Sequence, residues 1–125
     1  MSGQYDLQYR ASVVASESIR HKELYTQILE YFEKRELKWP TMEEALMWAH
    51  TESGEVTEQL LTRMPGWVRN HPEKIRDGSD KAVIEEIGDQ VFMLLIAGMV
   101  MKWDVLEAMQ CKMERKLEEL NEETT

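Results

Sequence analysis

The sequence predicts an all-α protein whose protomer resembles a four-helix bundle. No stretch alternates apolar and polar residues as a half-buried strand would, whereas apolar residues recur at helical spacing along most of the chain. The prolines, Pro40, Pro65 and Pro72, stand between these periodic segments. Long helices joined by short links are typical of a bundle. Because methionines are numerous on the faces of so small a bundle, we expect it to assemble as a dimer or a dimer of dimers.

The first two helices are predicted on either side of Pro40. The first runs from about Ser16 to Leu37, and a second runs from Thr41 to about Thr62. Thr41 and Glu44 have the spacing of a capping box, which marks the start of the second helix. The predicted apolar face of the first helix consists of Ile19, Leu24, Ile28, Leu29 and Phe32.

A loop and two further helices complete the prediction. Residues 63–80 are rich in proline and glycine, which indicates a loop. A third helix follows from about Ser79 to Lys102. Asp104 and Glu107 form another capping-box pattern, which opens a last helix that ends near Leu120.

Length and composition limit the classes of protein to which this chain could belong. Its 125 residues correspond to one domain, 1–125, in which residues 1–15 and 121–125 could fray. The net charge of −9 argues against a nucleic-acid polymer as partner, because phosphate binding needs a basic face. The longest apolar run, Val91–Met101, is too short to span a membrane. The single cysteine, Cys111, excludes a disulfide within one chain and is expected to be structural, so we expect a soluble cytoplasmic protein.

The third helix carries carboxylates on a stripe that becomes apolar. Glu86 and Asp89 lie on one side of it, because each residue of a helix turns by about 100°. The same stripe continues toward the C-terminus through Met93, Ala97 and Val100. A solvated face would continue with charged or polar residues, so we expect Glu86 and Asp89 to point inward.

The second helix repeats this arrangement with Glu52 and Glu55. Their stripe also contains Ala45, Trp48 and Gln59. We therefore expect carboxylates among apolar neighbours here too, with Trp48, like Trp39, in the core.

Four carboxylates that face into one bundle need a counter-charge, because burial and crowding of like charges both disfavour ionisation. A set made only of oxygen ligands suits a hard cation, Mg²⁺ or Mn²⁺. Zinc fits poorly without a cysteine or histidine ligand, and a di-iron site on a bundle uses Glu-x-x-His pairs, which this sequence lacks. The alternative is that both acidic stripes are simply solvated faces.

The two motifs together resemble those of the MazG-like all-α nucleoside triphosphate pyrophosphatases, with their dCTPase and dimeric dUTPase relatives. This family carries E-x-x-E on one helix and E-x-x-D on the next long helix. The matching residues are Glu52, Glu55, Glu86 and Asp89. The resemblance extends from about Ser16 to Leu120. One departure is Thr51, which stands where the first motif of the family often has a further glutamate.

The resemblance implies an enzyme that cleaves a nucleoside triphosphate between its α and β phosphorus atoms. The products would be a nucleoside monophosphate and pyrophosphate, and the physiological task would be to clear unwanted nucleotides. Mg²⁺ would be held by the four carboxylates, and Glu52 or Glu55 would accept a proton from the attacking water. Two alternatives stay open. One is a non-catalytic helical dimerisation or regulatory module, and the other is a phosphoribosyl-ATP pyrophosphohydrolase on the same fold.

Two groups of residues are candidates for substrate binding. Lys112 and Lys116 share a face of the last helix, with Arg115 beside them. The resemblance implies that basic groups at such positions contact phosphates, although a solvated helix with Glu–Lys pairs would show the same pattern. In the loop, Trp67 could stack on a base and Arg69 could contact the substrate, or the loop could be a lid or a packed connection.

Overall fold

The computed structural model describes residues 3–63 and 78–124, which form five α-helices. They are α1 (Gly3–Glu17), α2 (Lys22–Lys34), α3 (Met42–Leu61), α4 (Asp80–Met99) and α5 (Val105–Thr124). No strand occurs in these two ranges, which confirms the prediction of an all-α protein. None of the described helices combines the length and apolar character needed to cross a membrane.

The N-terminal region departs from the prediction of one helix from Ser16 to Leu37. The chain forms two helices there, α1 and α2, and α1 begins at Gly3, within the residues for which the sequence left fraying open. The chain turns between the helices where the Ser18 hydroxyl accepts a hydrogen bond from the backbone N–H of His21, at 3.1 Å. A serine side chain that satisfies the backbone in this way offers an alternative to continuing the helix.

The predicted apolar face of the first helix is correct only in part. Ile28 and Phe32 are buried in α2, and Leu29 packs against the same core. Ile19 lies in the turn after α1 and is 91% exposed, and Leu24 is also exposed. The turn therefore rotates this end of the predicted stripe away from the core.

The start of α3 confirms the predicted capping box. Thr41 Oγ1 accepts a hydrogen bond from the backbone N–H of Glu44 at 3.1 Å, and Glu44 Oε1 accepts one from the backbone N–H of Thr41 at 2.9 Å. Just before it, Trp39 is buried and stacks on Phe32, with ring centroids 3.9 Å apart. The stacked pair holds the link between α2 and α3 against the core.

The helices α3 and α4 run antiparallel and form the most extensive helix pair in the described chain. Near the loop, Gln59 Oε1 accepts a hydrogen bond from the backbone N–H of Gly78 at 2.8 Å, and Arg63 pairs with Asp80 at 2.8 Å. Gly78 has a φ of +70°, and a Cβ there would lie 2.1 Å from Thr62 Oγ1, so the close approach requires glycine. These contacts fix the register of the two acidic stripes.

The junction between α4 and α5 is held by Asp104. Its Oδ1 accepts hydrogen bonds from the Tyr25 hydroxyl at 2.6 Å and from the backbone N–H of Glu107 at 3.0 Å, so it caps α5 and ties it to α2. Gly98 lets the chain turn back closely, because a Cβ there would lie 2.3 Å from Val105 Cγ2. The capping role predicted for Asp104 is confirmed, whereas its bond to Tyr25 depends on the tertiary fold.

The core lies between α1, α2, α3 and the C-terminal half of α4, and α5 has no buried residue. The helix α5 continues through the predicted fraying point to Thr124. The fully buried large side chains are Tyr25, Ile96, Met99 and Val100. Cys111, expected to be structural, is exposed on α5, with its Sγ 3.5 Å from Glu107 Oε1.

Candidate metal centre

The acidic stripe of α4 leads into the core, as the sequence predicts. Glu86 is half-buried, and the same side of α4 continues through Met93, which packs against the core, to Ala97 and Val100, which are buried. The expectation that Asp89 points inward is wrong, because Asp89 is exposed on the stripe. On α3, Glu52 and Glu55 are half-buried between Ala45 and Gln59, which are both buried.

The antiparallel pairing of α3 and α4 brings three of the four predicted carboxylates together. One carboxylate oxygen from each of Glu52, Glu86 and Asp89 lies within 4.8 Å of the others. Glu55, one turn further along α3, hydrogen-bonds with Glu52. The two motifs are 34 residues apart from Glu52 to Glu86, yet their side chains meet at one place between the helices.

The carboxyl group of Glu52 lies in an environment that disfavours its negative charge. Its Oε2 is buried and accepts no hydrogen bond from any described residue. Burial raises the pKa of Glu52 from 4.5 to about 7, and the hydrogen bond and charge of Glu55 add to the effect. The charges of Asp89 and Glu86 raise this pKa further. At neutral pH the cluster therefore holds a proton or needs a cation.

The donor set fits a hard divalent cation better than a softer metal. All four groups are carboxylates, and no histidine or cysteine belongs to the described cluster. Within the described ranges, Glu52, Glu55 and Asp89 form no ion pair. A divalent cation could coordinate a buried carboxylate oxygen that accepts no hydrogen bond. The residues present therefore fit such an ion.

The predicted phosphate-binding residues belong to a helix, α5, that does not pack against α3. Lys112, Arg115 and Lys116 are exposed on α5, which packs against α4 but not against α3. No ion pair joins these three side chains to the described acidic cluster. The predicted loop residues Trp67 and Arg69 lie outside the described residues.

Trp48 is a further residue that the sequence interpretation places wrongly. It was expected in the core, but it is 57% exposed. The core side of α3 is occupied by Ala45, Ala49 and Glu52, and Trp48 is turned from Ala45 by 60° toward the side of Glu55. Because the small alanines of α3 face α4, the large side chain does not have to be buried there.

Comparisons with protein-family models, with curated proteins and with solved structures find no match to this chain.

Proposed function

We propose that this protein is a metal-dependent nucleoside triphosphate pyrophosphohydrolase. It cleaves a ribo- or deoxyribonucleoside triphosphate to the monophosphate and pyrophosphate, and it uses Mg²⁺ or Mn²⁺. We further propose that it acts in the cytoplasm on unwanted nucleotides. The order of the motifs, E-x-x-E on α3 and E-x-x-D on α4, resembles the MazG-like enzymes and supports this choice of reaction.

The observation that carries the proposal is the meeting of Glu52, Glu86 and Asp89 within 4.8 Å. Three carboxylates at this separation repel one another, and burial of Glu52 adds to the cost of its negative charge. A structural role would be served better by neutral side chains of the same size. A solvated acidic face would not place the Glu52 Oε2 atom out of contact with water.

In the proposed reaction, Glu52, Glu55, Glu86 and Asp89 hold the cation. The bound cation would supply charge neutralisation at the phosphate oxygens and would acidify the attacking water. Glu52 and Glu55 share a hydrogen bond, and burial raises the pKa of Glu52 to about 7. A bound cation would favour the ionised form of these carboxylates, and Glu52 or Glu55 would accept the proton of the attacking water.

We also propose that the protein works as a homodimer or homotetramer. The helix α5 exposes an apolar stripe at helical spacing, made of Met109, Met113, Leu117 and Leu120. Beyond Val105 and Leu106, which pack against the core, the amphipathic face of this long helix is exposed, so a partner surface would stabilise it. Lys112 and Lys116 border this stripe, and assembly would place them beside a second copy, where they could contact phosphates.

The test is an analysis of products. The protein is incubated with Mg²⁺ or Mn²⁺ and a panel of ribo- and deoxynucleoside triphosphates, with phosphoribosyl-ATP tested beside them, and the products are separated by chromatography. The proposal predicts monophosphate and pyrophosphate in equal amounts, with the activity lost in Glu86→Gln and retained in Glu85→Gln, its exposed neighbour. Release of diphosphate and phosphate would contradict the bond assignment. No turnover with Mg²⁺ or Mn²⁺ would favour the non-catalytic dimerisation module, and turnover of phosphoribosyl-ATP alone would favour a phosphoribosyl-ATP pyrophosphohydrolase.

A further inference from the structure

The helix α4 carries a second stripe of residues, which is apolar and exposed. Its members recur at spacings of three and four residues, as in the seam of a coiled coil. They lie about 80–160° around the helix from Glu86, so they do not belong to the acidic stripe that meets α3. Each side chain keeps between 39% and 65% of its surface exposed. We call this set the α4 outer stripe, and it consists of Ile84, Ile87, Val91 and Leu94.

The apolar stripe of α5 matches the α4 outer stripe in length and in exposure. Its four side chains are between 50% and 58% exposed, and each stripe spans about 15 Å at a helical rise of about 1.5 Å per residue. Because both stripes are exposed, neither covers the other within one chain. Two ion pairs from Arg20, to Glu107 and to Glu114 at 3.6 Å each, hold α5 beside the turn between α1 and α2. The helix α5 therefore presents its apolar stripe to another molecule.

The charges beside the two stripes are complementary when the two helices run antiparallel. Lys116 directly precedes Leu117 in α5, and Glu86 directly precedes Ile87 in α4. Each charge therefore lies about 100° from the stripe residue that follows it, in the same rotational sense. In an antiparallel helix pair, flanks of the same rotational sense lie on the same side of the contact. With the two stripes aligned end to end, Lys116 is level with Ile87 and lies next to Glu86, so opposite charges favour this orientation.

We propose that the apolar stripe of α5 packs antiparallel on the α4 outer stripe of a second copy of this chain. The contact is reciprocal, because in a two-fold dimer each copy offers both surfaces to the other. Each protomer then buries eight apolar side chains that are exposed in the single chain. Lys116 of one copy lies beside the partner's Glu86. The inference rests on the part of the proposed function that concerns assembly, and it names the surface that assembly uses.

The first experiment distinguishes this cross-pairing from contacts between identical stripes. Val91→Glu introduces a negative charge into the α4 outer stripe, and Met113→Lys introduces a positive charge into the stripe of α5. Each variant alone should be a monomer by light scattering where the wild type is assembled, with a dissociation constant raised by more than about 100-fold, because a lone charge is costly to bury. An equal mixture should regain the wild-type mass, because one contact pairs the two new charges and the other is unchanged. Glu85→Lys, exposed on α4 outside the stripe, is the control and should keep the wild-type mass.

A cross-linking experiment tests the same contact without placing a charge in either stripe. Ile84→Cys and Leu120→Cys are made separately in a Cys111→Ser background, because the antiparallel alignment brings these two positions side by side. Under mild oxidation, the inference predicts a covalent dimer from the mixture of the two variants and little from either variant alone. Cross-linking of either variant with itself, and none in the mixture, would show that identical stripes contact each other and would overturn the inference.

The outcomes for assembly and for the proposed reaction are distinguishable. Wild-type mass in both Val91→Glu and Met113→Lys would overturn the inference, because neither stripe would then be a subunit contact. A wild type that is monomeric at every concentration would overturn it as well and would leave the two stripes to an unlike partner. The proposed reaction is judged by the product analysis alone, so an assembled protein without turnover would keep this inference and reject the reaction.

Discussion

Replacing Glu52 by glutamine tests the electrostatics of the cluster without any substrate. In the wild type, the pKa of Glu52 is about 7 in the folded protein against an ordinary value of 4.5, because of burial and the neighbouring carboxylates. The folded state therefore binds more protons than the unfolded state between these two values. The contribution of Glu52 to stability is complete below pH 4.5 and is lost as the pH rises through 7.

The magnitude follows from the size of the shift. A change of about 2.5 pKa units corresponds to roughly 3 kcal/mol for a fully buried group. Because Glu52 is only half-buried, solvent screening reduces this to about 1–2 kcal/mol. Glutamine cannot ionise, so Glu52→Gln should be more stable than the wild type by about 1–2 kcal/mol at pH 8, and nearly equal to it at pH 4.5.

The assay is urea unfolding followed by circular dichroism at pH 4.5, 6 and 8, with a chelator present. The exposed Glu85→Gln serves as control and should not gain stability with rising pH relative to the wild type. Adding Mg²⁺ or Mn²⁺ at pH 8 should stabilise the wild type, by about 2.7 kcal/mol at a hundredfold excess over the dissociation constant, and should stabilise Glu52→Gln less. A difference between Glu52→Gln and wild type that does not change with pH would refute the reasoning.

The other variants concern catalysis, phosphate binding and assembly. Glu86→Gln or Asp89→Asn should lower kcat/KM by more than about 100-fold while leaving the circular dichroism spectrum unchanged, and full activity in either variant would show that the site is wrongly assigned. Lys116→Ala should raise KM roughly tenfold with little effect on the unfolding midpoint, and unchanged kinetics would remove Lys116 from the phosphate site. Met113→Glu should reduce the molar mass measured by light scattering to that of a monomer, because a charge on the apolar stripe of α5 cannot be buried without cost. Ala108→Glu, on the opposite face of α5, should leave the mass unchanged, and equal behaviour of the two variants would show that this stripe is not the subunit contact.

The features that could be predicted from sequence are those with local causes. The start of α3 follows from Thr41 and Glu44, whose reciprocal hydrogen bonds require only residues of the same turn. The inward course of the α4 stripe follows from the helical angle between Glu86 and the apolar residues after it. The meeting of the two motifs follows once α3 and α4 are taken as neighbours in a bundle.

The features that could not be predicted depend on contacts between distant segments. The helix α1 buries Ala11, Val14 and Ala15, whose small side chains give only a weak amphipathic pattern in the sequence. The bond from the Tyr25 hydroxyl to Asp104 joins residues 79 positions apart. The exposure of Trp48 depends on how α3 is rotated against α4, which the alternation of apolar and polar residues does not determine.

The buried contact between Tyr25 and Asp104 shows why some perturbed groups are structural. Burial and the hydrogen bond to Asp104 raise the pKa of Tyr25 well above its ordinary value. Burial alone would raise the pKa of Asp104 as well, but the hydrogen bonds from Tyr25, Glu107 and Ser18 outweigh it and lower that pKa. Both groups thus have their hydrogen-bonding needs met, unlike Glu52, whose buried oxygen has no donor among the described residues.

The most direct test of the central claim is a calorimetric titration of the protein with Mn²⁺ at pH 7.5. The account predicts saturable binding of at least one ion per chain, with release of protons from the cluster, in the wild type and in Glu85→Gln. The same titration of Glu86→Gln should show affinity weakened by more than about tenfold. Equal binding by wild type and Glu86→Gln, or no saturable binding by the wild type, would contradict the assignment of a metal centre between α3 and α4.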